Sequence, residues 1–366
     1  MTISEANVLE ALSTVQDPDL GKDLVTLNMI KDVKVSDNSI AFTVELTTPA
    51  CPLKEMIRKD CENAIFKKFG QDVNLDILMT SSVTTSRLKG STTLPDIKNI
   101  IAVASGKGGV GKSTITANLA VTLAKNGAKV GLIDADIFGP SMPTMFNCEN
   151  EKPRAMEKDG KTMIIPVEQY GVKLMSIGFL APPDEAIVWR GPMASSALKQ
   201  FFNDTDWGEL DYLFVDLPPG TSDIHLTLVQ SVPVTGAVIV TTPQKVALAD
   251  AIKAAAMFKQ PQINVPLLGV IENMSYFTPN ELPDKKYYIF GEGGGKKLSE
   301  KFEIPMLGQI PLVQAVRESG DSGYPFVLKE HLVANAFVET AQSLAQQIAI
   351  RNATKSVTKP VEITTM

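Results

Sequence analysis

The stretch ASGKGGVGKST, residues 104–114, constrains the fold of this chain more than any other part of it. Gly106, Gly111, Lys112 and Ser113 satisfy the pattern G-x-x-x-x-G-K-[ST], in which glycines let backbone N–H groups surround phosphate oxygens. A strand-like run, NIIAVAS, precedes the stretch, and a helical run, TITANLAVTLAKNG, follows it. This strand–loop–helix order is the context that a phosphate-binding loop requires and that a mere glycine-rich turn does not.

Apolar runs typical of buried strands recur from residue 99 onward and alternate with helical stretches. The runs are NIIAVAS, KVGLIDAD, YLFVDLP, GAVIVTT, PLLGVIENM and MLGQIP. Near-continuous Val, Ile and Leu strands that alternate with helices indicate an α/β fold with a mostly parallel sheet, covered by helices on both faces. A last helix is expected in LVANAFVETAQSLAQQIAI, with one apolar face made of Val333, Phe337, Ala341, Leu344 and Ile348.

The chain divides into four regions. Residues 1–80 contain a short amphipathic helix, a hairpin pattern around SDNS, a helix with Pro52 in its first turn and a further strand, which predict a small α+β domain. Residues 81–98 are rich in Ser and Thr and are expected to be a linker. Residues 99–351 form the predicted phosphate-loop domain, and residues 352–366, which lack an apolar face, are expected to be a disordered tail.

Composition excludes several classes of function. A formal net charge of −6 argues against nonspecific attraction to nucleic acid or to anionic lipid. No apolar run approaches the ~20 residues of a membrane span, and the N-terminus has no basic region of a signal peptide. Three scattered cysteines fit a cytoplasmic protein without a disulfide framework. We therefore expect a cytoplasmic location and neither a nucleic-acid nor a membrane partner.

The loop predicts how a nucleotide is bound. The helix that begins near Ser113 adds the positive end of its dipole to the phosphate site. Lys112 is expected to neutralise the outer phosphates, and Ser113 to ligate Mg²⁺. The residues expected to contact the nucleotide are Gly106, Lys107, Gly108, Gly109, Val110, Gly111, Lys112, Ser113 and Thr114.

Polar residues follow the predicted strands at the edge where such a site would lie. Asp216 ends YLFVD, and Asp134 and Asp136 end GLIDAD, so these carboxylates are candidates for the Mg²⁺ shell and for orienting the attacking water. A turn or helix cap is the alternative for any one of them. Asn273 ends GVIEN, and its amide suits the edge of adenine, although a turn asparagine is an alternative.

Lys107 is an additional lysine within the loop. In the usual loop geometry a side chain at this position points away from its own phosphates, so it becomes useful if a second subunit faces it. It would then act on the partner's phosphates as an arginine finger does in trans, which predicts a homodimer. A solvated loop lysine is the alternative.

These motifs resemble one family closely. SGKGGVGKST is similar to the deviant phosphate loop of the nitrogenase iron protein, the septum-site and partition ATPases and the Mrp/ApbC iron–sulfur cluster carriers. DADIFGPSMP, VWRGPM, WGELDYLFVDLPPGTSD, IENMS, IFGEGGG and IPLVQAVRESGDSG resemble Mrp/ApbC proteins in particular. The N-terminal region, with TTPACP, resembles the iron–sulfur assembly domain that is often fused in front of them.

The resemblance implies a homodimeric ATPase that uses ATP and Mg²⁺, binds an iron–sulfur cluster of the 4Fe-4S type and passes it to apoproteins, with assembly factors as further partners. It also implies roles for individual residues. Lys107 would act across the dimer, and Lys112 and Ser113 would hold phosphates and Mg²⁺. Asp136 would organise the hydrolytic water, while Asp134 and Asp216 would belong to the metal shell. Asn273 would bind adenine.

One departure from the family concerns the cluster. The family usually has a C-x-x-C pair just after ENMS-x-F, but here the stretch ENMSYFTPNELPDKKYYIFGEGGG contains no cysteine. Clusters are typically held by four thiolates. Cys51, just before a predicted helix whose N-terminus lowers a thiol pKa, is the candidate ligand, with a buried apolar role as the alternative. Cys61 is expected in the core, and Cys148 either in the core or in a loop.

Two hypotheses remain from the sequence. The first is an ATP-hydrolysing iron–sulfur cluster carrier. The second is a nucleotide-switched scaffold that docks assembly partners without carrying a cluster itself. A metabolic ligase or kinase on the same fold and an electron-transferring reductase are less consistent with the motifs. The glycine-rich stretch FGEGGGKKLSE lacks the G-K-[ST] ending and is expected to be a turn that opens the next helix.

Overall fold

The computed structural model describes residues 3–87, 93–137, 139–158, 160–180, 191–279, 282 and 285–361. Its N-terminal region follows the predicted α+β pattern. The elements are α1 (Glu5–Leu12), β1 (Gln16–Asp17), β2 (Lys22–Asp23), β3 (Ile30–Ser36), β4 (Ser39–Leu46), α2 (Lys54–Phe69) and β5 (Asn74–Ser81).

A capping hydrogen bond and turn residues determine where some of these elements begin and how they connect. Ser4 accepts a hydrogen bond from the N–H of Asn7 and begins α1. Asp37 and Asn38 form the turn of the antiparallel β3–β4 hairpin, and α2 returns the chain so that β5 pairs parallel to β4. The helix α2 begins at Lys54, so Pro52 precedes it instead of lying in its first turn as expected.

The larger region alternates strands and helices. Its first half contains β6 (Ile97–Ser105), α3 (Lys112–Lys125), β7 (Val130–Asp134), α4 (Met142–Met145), β8 (Arg154–Lys158), β9 (Lys161–Ile165), β10 (Val167–Gln169) and β11 (Val172–Ser176). Its second half contains α5 (Gly191–Asn203), β12 (Leu210–Asp216), α6 (Asp223–Ser231), β13 (Gly236–Thr241), α7 (Lys245–Lys259), β14 (Leu267–Glu272), α8 (Gly294–Phe302), β15 (Met306–Gln309), α9 (Gln314–Asp321) and α10 (Ala334–Thr354).

Eight strands form one sheet in the order β10-β11-β7-β12-β6-β13-β14-β15. All neighbours pair in parallel except β10, which is antiparallel to β11. The prediction of a mostly parallel sheet is therefore confirmed. The sequence did not reveal β8 to β11, because these segments are short and lack the long Val/Ile/Leu runs of the central strands.

Helices cover both faces of this sheet, as predicted. On one face α3 and α10 pack against the strands and share a core that includes Ile115, Leu119 and Phe337. On the other face α5, α6, α7 and α8 enclose a second core that includes Phe201 and Phe258. The central strands β6, β12 and β13 are buried on both sides, which explains their near-continuous apolar sequences.

The chain after the last helix differs from the expected disordered tail. The helix α10 continues to Thr354, and the buried Thr358 donates its backbone N–H to the carbonyl of Ser86. The N–H of Val361 reaches Val229, and its side chain packs against the second core. These contacts give residues 355–361 hydrogen-bond partners that their sequence pattern does not indicate. Residues 88–92 of the expected linker and 362–366 of the expected tail lie outside the described residues.

Candidate nucleotide site

The loop between β6 and α3 lies at the carboxyl edge of the central strand. Gly109 and Gly111 have φ of +80° and +78°, a left-handed backbone that glycine adopts without strain. Gly106 lies against the backbone of α7, because a Cβ there would stand 2.0 Å from the carbonyl carbon of Asp250. Both features require glycine, so the loop spacing noted in the sequence has a direct geometric cause.

The first turn of α3 is open to an anion. The first N–H groups of any α-helix have no partner within the helix, and here Gly111 provides no side-chain cap and no acidic residue lies in the first turn. By contrast, α1 is capped by the Ser4 hydroxyl. Unpaired N–H groups and the positive end of the helix dipole make this turn suited to phosphate.

Three side chains of α3 converge on the Asp216 carboxylate at the end of β12. The Lys112 ammonium lies 2.7 Å from Oδ2, the Ser113 hydroxyl donates to Oδ2 at 2.6 Å, and the Thr116 hydroxyl donates to Oδ1 at 2.6 Å. Asp216 is fully buried, and Lys112 is almost so. The structure thus brings together Lys112, Ser113 and Asp216, three residues that the sequence analysis assigned to the nucleotide site. Thr116 was missed, although it lies one helical turn after Lys112.

Asp134 lies beside Asp216 in the sheet but is used differently. Its carboxylate accepts hydrogen bonds from the N–H groups of Asp136, Ser141 and Met142 and from the Ser176 hydroxyl. Burial, and then the nearby charge of Asp216, raise its pKa to about 7 although these donors oppose the shift. Three of these donors come from the chain directly after β7, and the fourth is the last residue of β11. The three backbone donors correspond to the turn or cap that was the alternative for Asp134.

Asp136 and Lys107 occupy more open positions. The Asp136 carboxylate lies 3.8 Å from the Lys112 ammonium and is mostly buried. Lys107 is exposed, and among the described residues its ammonium makes no ion pair. Its carbonyl accepts a hydrogen bond from the Ser105 hydroxyl, which fixes the loop backbone while the side chain extends outward. A lysine in this position is available to a group outside its own subunit.

Asn273 holds the phosphate loop directly. Its amide nitrogen donates to the Val110 carbonyl at 2.8 Å, and a Cβ on Gly111 would stand 2.2 Å from that nitrogen. Beside it lies a cavity of about 430 Å³ whose lining includes Gly111, Thr114 and Asn273, together with the apolar Met274, Pro311 and Leu312. A mostly apolar cavity that adjoins the phosphate loop fits a planar base.

His225 is a buried group near the site that sequence reasoning did not assign. It lies in the first turn of α6, where its Nδ1 accepts the N–H of Ser222 at 3.2 Å. Its Nε2 has no hydrogen-bond partner in the part of the chain that the structure describes, and its ring lies 6.3 Å from that of Phe258. Burial lowers the pKa of His225 to about 4, so the imidazole is neutral at physiological pH.

Burial raises the pKa of all three thiols, including Cys51, for which the sequence predicted a lowered pKa. Burial, and the charges of Asp19 and Asp17, raise the pKa of Cys51 above its ordinary value, and the N–H groups of Leu53 and Lys54 oppose this only in part. The expected lowering by a helix N-terminus is therefore outweighed. Cys61 is in the N-terminal core, and burial raises the pKa of Cys61 and of Cys148 to about 12. Among the described residues, no group of three His, Cys, Asp or Glu could hold a metal ion.

A parallel sheet with this loop at its central strand defines the class of protein, a nucleotide-binding P-loop NTPase. Residues 96–349 match the family described as NUBPL iron-transfer P-loop NTPase, and residues 5–80 match the family described as iron-sulfur cluster assembly protein. The chain belongs to the iron-transfer P-loop NTPases that include the iron–sulfur cluster carrier proteins, so the resemblance predicted from the motifs is confirmed.

Individual relatives are similar over almost their whole length. The iron-sulfur cluster carrier protein of Synechocystis sp. is 48% identical over 343 residues, 93% of this chain and 96% of that protein. The protein of the same description from Escherichia coli K12 is 43% identical over 347 residues, 94% of this chain and 91% of that protein. A solved nucleotide-binding protein from Archaeoglobus fulgidus, in complex with ADP, is 41% identical with a TM-score of 0.55 and covers 63% of this chain and 88% of its own. No described helix has the length and apolar character needed to cross a membrane.

Proposed function

We propose that this chain is an ATP-hydrolysing carrier that binds iron–sulfur clusters and transfers them to apoproteins. The observation that carries the proposal is the convergence of Lys112 and Ser113 on Asp216 at an uncapped helix N-terminus, in a chain of the cluster-carrier family. Relatives that match 93% and 94% of this chain are named iron-sulfur cluster carrier proteins. Apoproteins and assembly factors are the expected partners.

The residues present fit ATP and Mg²⁺. The uncapped N–H groups at the start of α3 and the Lys112 ammonium would hold the phosphates, and the apolar cavity beside Thr114 and Asn273 would hold the base. The Ser113 hydroxyl and the Asp216 carboxylate would hold Mg²⁺, which neutralises charge on the phosphates. Asp136, beside Lys112, would orient the attacking water, and Asp134 would keep the following loop in place.

The exposed Lys107 supports a homodimer as the working form. Its side chain is exposed, so its ammonium would neutralise phosphates bound to a second copy of the chain. Hydrolysis would then depend on the dimer, and the nucleotide state would change the geometry between subunits. Turnover in such a device is expected to be slow.

The cluster is the cargo, and its ligands differ from the family pattern. Cys61 and Cys148 are buried, which leaves the half-buried Cys51 as the accessible thiol. A symmetric dimer would supply two Cys51 thiolates, and other ligands would complete the cluster, of 4Fe-4S type by the family resemblance.

Anaerobic reconstitution with iron and sulfide tests this proposal. Wild type, Cys51→Ala and the control Cys148→Ala are compared by bound iron, bound sulfide and visible absorption. The carrier proposal predicts a stoichiometric cluster in wild type and in the control, and its loss in Cys51→Ala. A wild-type chain that binds no cluster, under conditions that load a relative with the C-x-x-C pair, would contradict it.

A second candidate is a nucleotide-switched scaffold that docks assembly partners without carrying a cluster. The raised pKa of all three thiols, and the lack of a three-ligand group among described residues, favour this alternative. It predicts ATP turnover and partner binding in a chain that takes up no iron. The same reconstitution, combined with an ATPase assay, distinguishes the two functions.

A further inference from the structure

Glu272, the last residue of β14, is a buried carboxylate that the proposed ATP chemistry does not use. It is 1% exposed, and among the described residues it makes no ion pair. A buried charge without a counterion is costly unless hydrogen bonds compensate it. The groups that donate to Glu272 therefore indicate why a carboxylate stands at this position.

The two carboxylate oxygens connect three separate parts of the chain. Oε2 accepts the N–H of Gly295, in the first turn of α8, at 2.6 Å. Oε1 accepts the Ser275 hydroxyl at 2.5 Å and the Gln309 amide at 2.9 Å. Gly295 lacks an intrahelical acceptor, so a carboxylate at this end of α8 also interacts favourably with the helix dipole.

Glycine is required for this contact. A Cβ on Gly295 would stand 2.9 Å from the Cβ of Glu272, and a Cβ on Gly294 would stand 2.6 Å from the Pro243 carbonyl. The prediction that FGEGGGKKLSE opens a helix is confirmed, since α8 begins at Gly294. Gly295 allows the helix start to approach the end of β14, and Gly294 allows it to approach Pro243.

The exposed segment 285–293 is connected to Glu272 through Gly295 after its C-terminal end and, less directly, through Phe277 near its N-terminal end. One end leads into Gly295 of α8, whose N–H the carboxylate accepts. Near the other end, Tyr287 and Phe277 exchange backbone hydrogen bonds of 2.8 and 2.9 Å. Phe277 lies two residues after Ser275, whose hydroxyl donates to Glu272. The segment exposes Tyr287, Tyr288 and Ile289 to solvent.

The residue after Glu272 holds the phosphate loop. Asn273 donates to the Val110 carbonyl and lies against Gly111, and the N–H of Ile310 donates to the Glu272 carbonyl beside the base cavity. Two adjacent residues therefore connect the phosphate loop on one side with α8 and segment 285–293 on the other.

We propose that Glu272 is a positioning residue that couples the phosphate loop to segment 285–293. A nucleotide on the loop restrains Val110 and Asn273, and Glu272 transmits this restraint to the first turn of α8 and to the segment that precedes it. The exposed aromatic surface of the segment then depends on the nucleotide state. This inference rests on the nucleotide site of the proposed function and concerns how that site communicates with the surface.

Hydrogen exchange of the full chain, measured by mass spectrometry with and without Mg²⁺ and a non-hydrolysable ATP analogue, tests the proposal. In wild type we expect the analogue to slow exchange over residues 286–297 roughly tenfold, the scale of one hydrogen bond to a charged group. In Glu272→Ala this change is lost, while the amides of 108–114 are still protected by the analogue. The control Glu292→Ala, an exposed carboxylate in the same segment, retains the wild-type response.

The dependence on nucleotide separates coupling from a merely structural role. A structural role would raise exchange in Glu272→Ala equally with and without the analogue. Glu272→Gln keeps an acceptor for Gly295 and is expected to restore part of the response, and the wild-type measurement stands even if Glu272→Ala does not fold. Protection of 108–114 without any change over 286–297 in wild type overturns the coupling alone. Failure of the analogue to protect 108–114 overturns the proposed nucleotide site, and this inference with it.

Discussion

At the scale of single residues, the Asp216 carboxylate determines where the phosphate-binding side chains lie. Lys112, Ser113 and Thr116 all bond to its carboxylate, so a nucleotide competes with Asp216 for the lysine. Because the pair is buried, removal of either partner leaves an uncompensated charge. The lysine is thus held in place before the phosphates arrive, which lowers the conformational cost of binding.

Replacement of this lysine is therefore expected to weaken binding strongly. Lys112→Ala should lower ATP affinity roughly 10- to 100-fold, since a hydrogen bond to a charged group contributes about 1.5–3 kcal/mol. Lys107→Ala, in which the exposed lysine is removed, should keep most of the affinity but lose hydrolysis. Isothermal titration and a phosphate-release assay measure the two properties, with circular dichroism as a check on folding. Undiminished ATP affinity in Lys112→Ala would contradict the assignment of the loop.

His225 predicts a dependence of stability on pH. Its pKa is about 4 in the folded chain, below the ordinary value of 6.5, so the unfolded chain binds a proton first as the pH falls. The associated stability is fully present above pH 6.5 and is lost as the pH approaches 4. We expect the unfolding free energy of wild type, relative to His225→Phe, to fall by roughly 3 kcal/mol between pH 7 and pH 4. A difference that does not change with pH, in urea titrations at each pH, would show that the imidazole is not buried as a neutral group.

At the scale of elements, the site is built where helices approach the sheet edge closely. The loop backbone at Gly106 contacts the backbone of α7. The start of α8 contacts the end of β14 through Gly295 and the backbone of Pro243 through Gly294. These contacts leave no space for a Cβ, so the glycine positions report packing between elements as well as phosphate binding. A glycine-rich motif alone does not distinguish these two causes.

Gly106 and Gly108, two glycines of the same loop, allow the packing role to be tested separately from phosphate binding. Gly106→Ala should lower the unfolding free energy by roughly 1–3 kcal/mol, because its Cβ would overlap the Asp250 backbone. Gly108→Ala is the matched control, since its Cβ would approach only the Pro219 side chain, at 3.9 Å. Denaturant titration of both variants without nucleotide makes the comparison. Equal stability of the two variants would contradict the close approach of α7.

At the scale of the whole molecule, polar contacts, one of them buried, join the N-terminal region to the larger region. The hydroxyls of Thr48 and Tyr212 lie 3.1 Å apart in a buried position, and Gln346 of α10 donates to Asp19. Cys51 follows Thr48 closely and experiences the charge of Asp19. The candidate cluster thiol therefore lies near a contact between the two regions.

The proposed dimer can be tested by mixing two variants that are each inactive alone. If Lys107 acts in trans, Lys107→Ala and Lys112→Ala are each inactive, but a mixture forms dimers with one intact site. Equal amounts should regain roughly a quarter of wild-type turnover, since half of the randomly formed dimers are mixed and each has one of two sites. The ATPase rate of the mixture measures this. A mixture as inactive as its components would place Lys107 within its own subunit.

The local order of residues determined the class of fold and the centre of the site. Strand-like runs, helical spacing and a strand–glycine loop–helix order are short-range patterns, so the parallel sheet and the position of the phosphate loop and Asp216 at its carboxyl edge could be predicted. Properties of the site that depend on distant neighbours and on burial could be determined only from the tertiary structure. Asn273 holds a carbonyl 163 positions away, Asp134 caps a loop, and desolvation reverses the expected pKa shift of Cys51. Such properties arise when packing removes water and brings remote groups together, which no local pattern encodes.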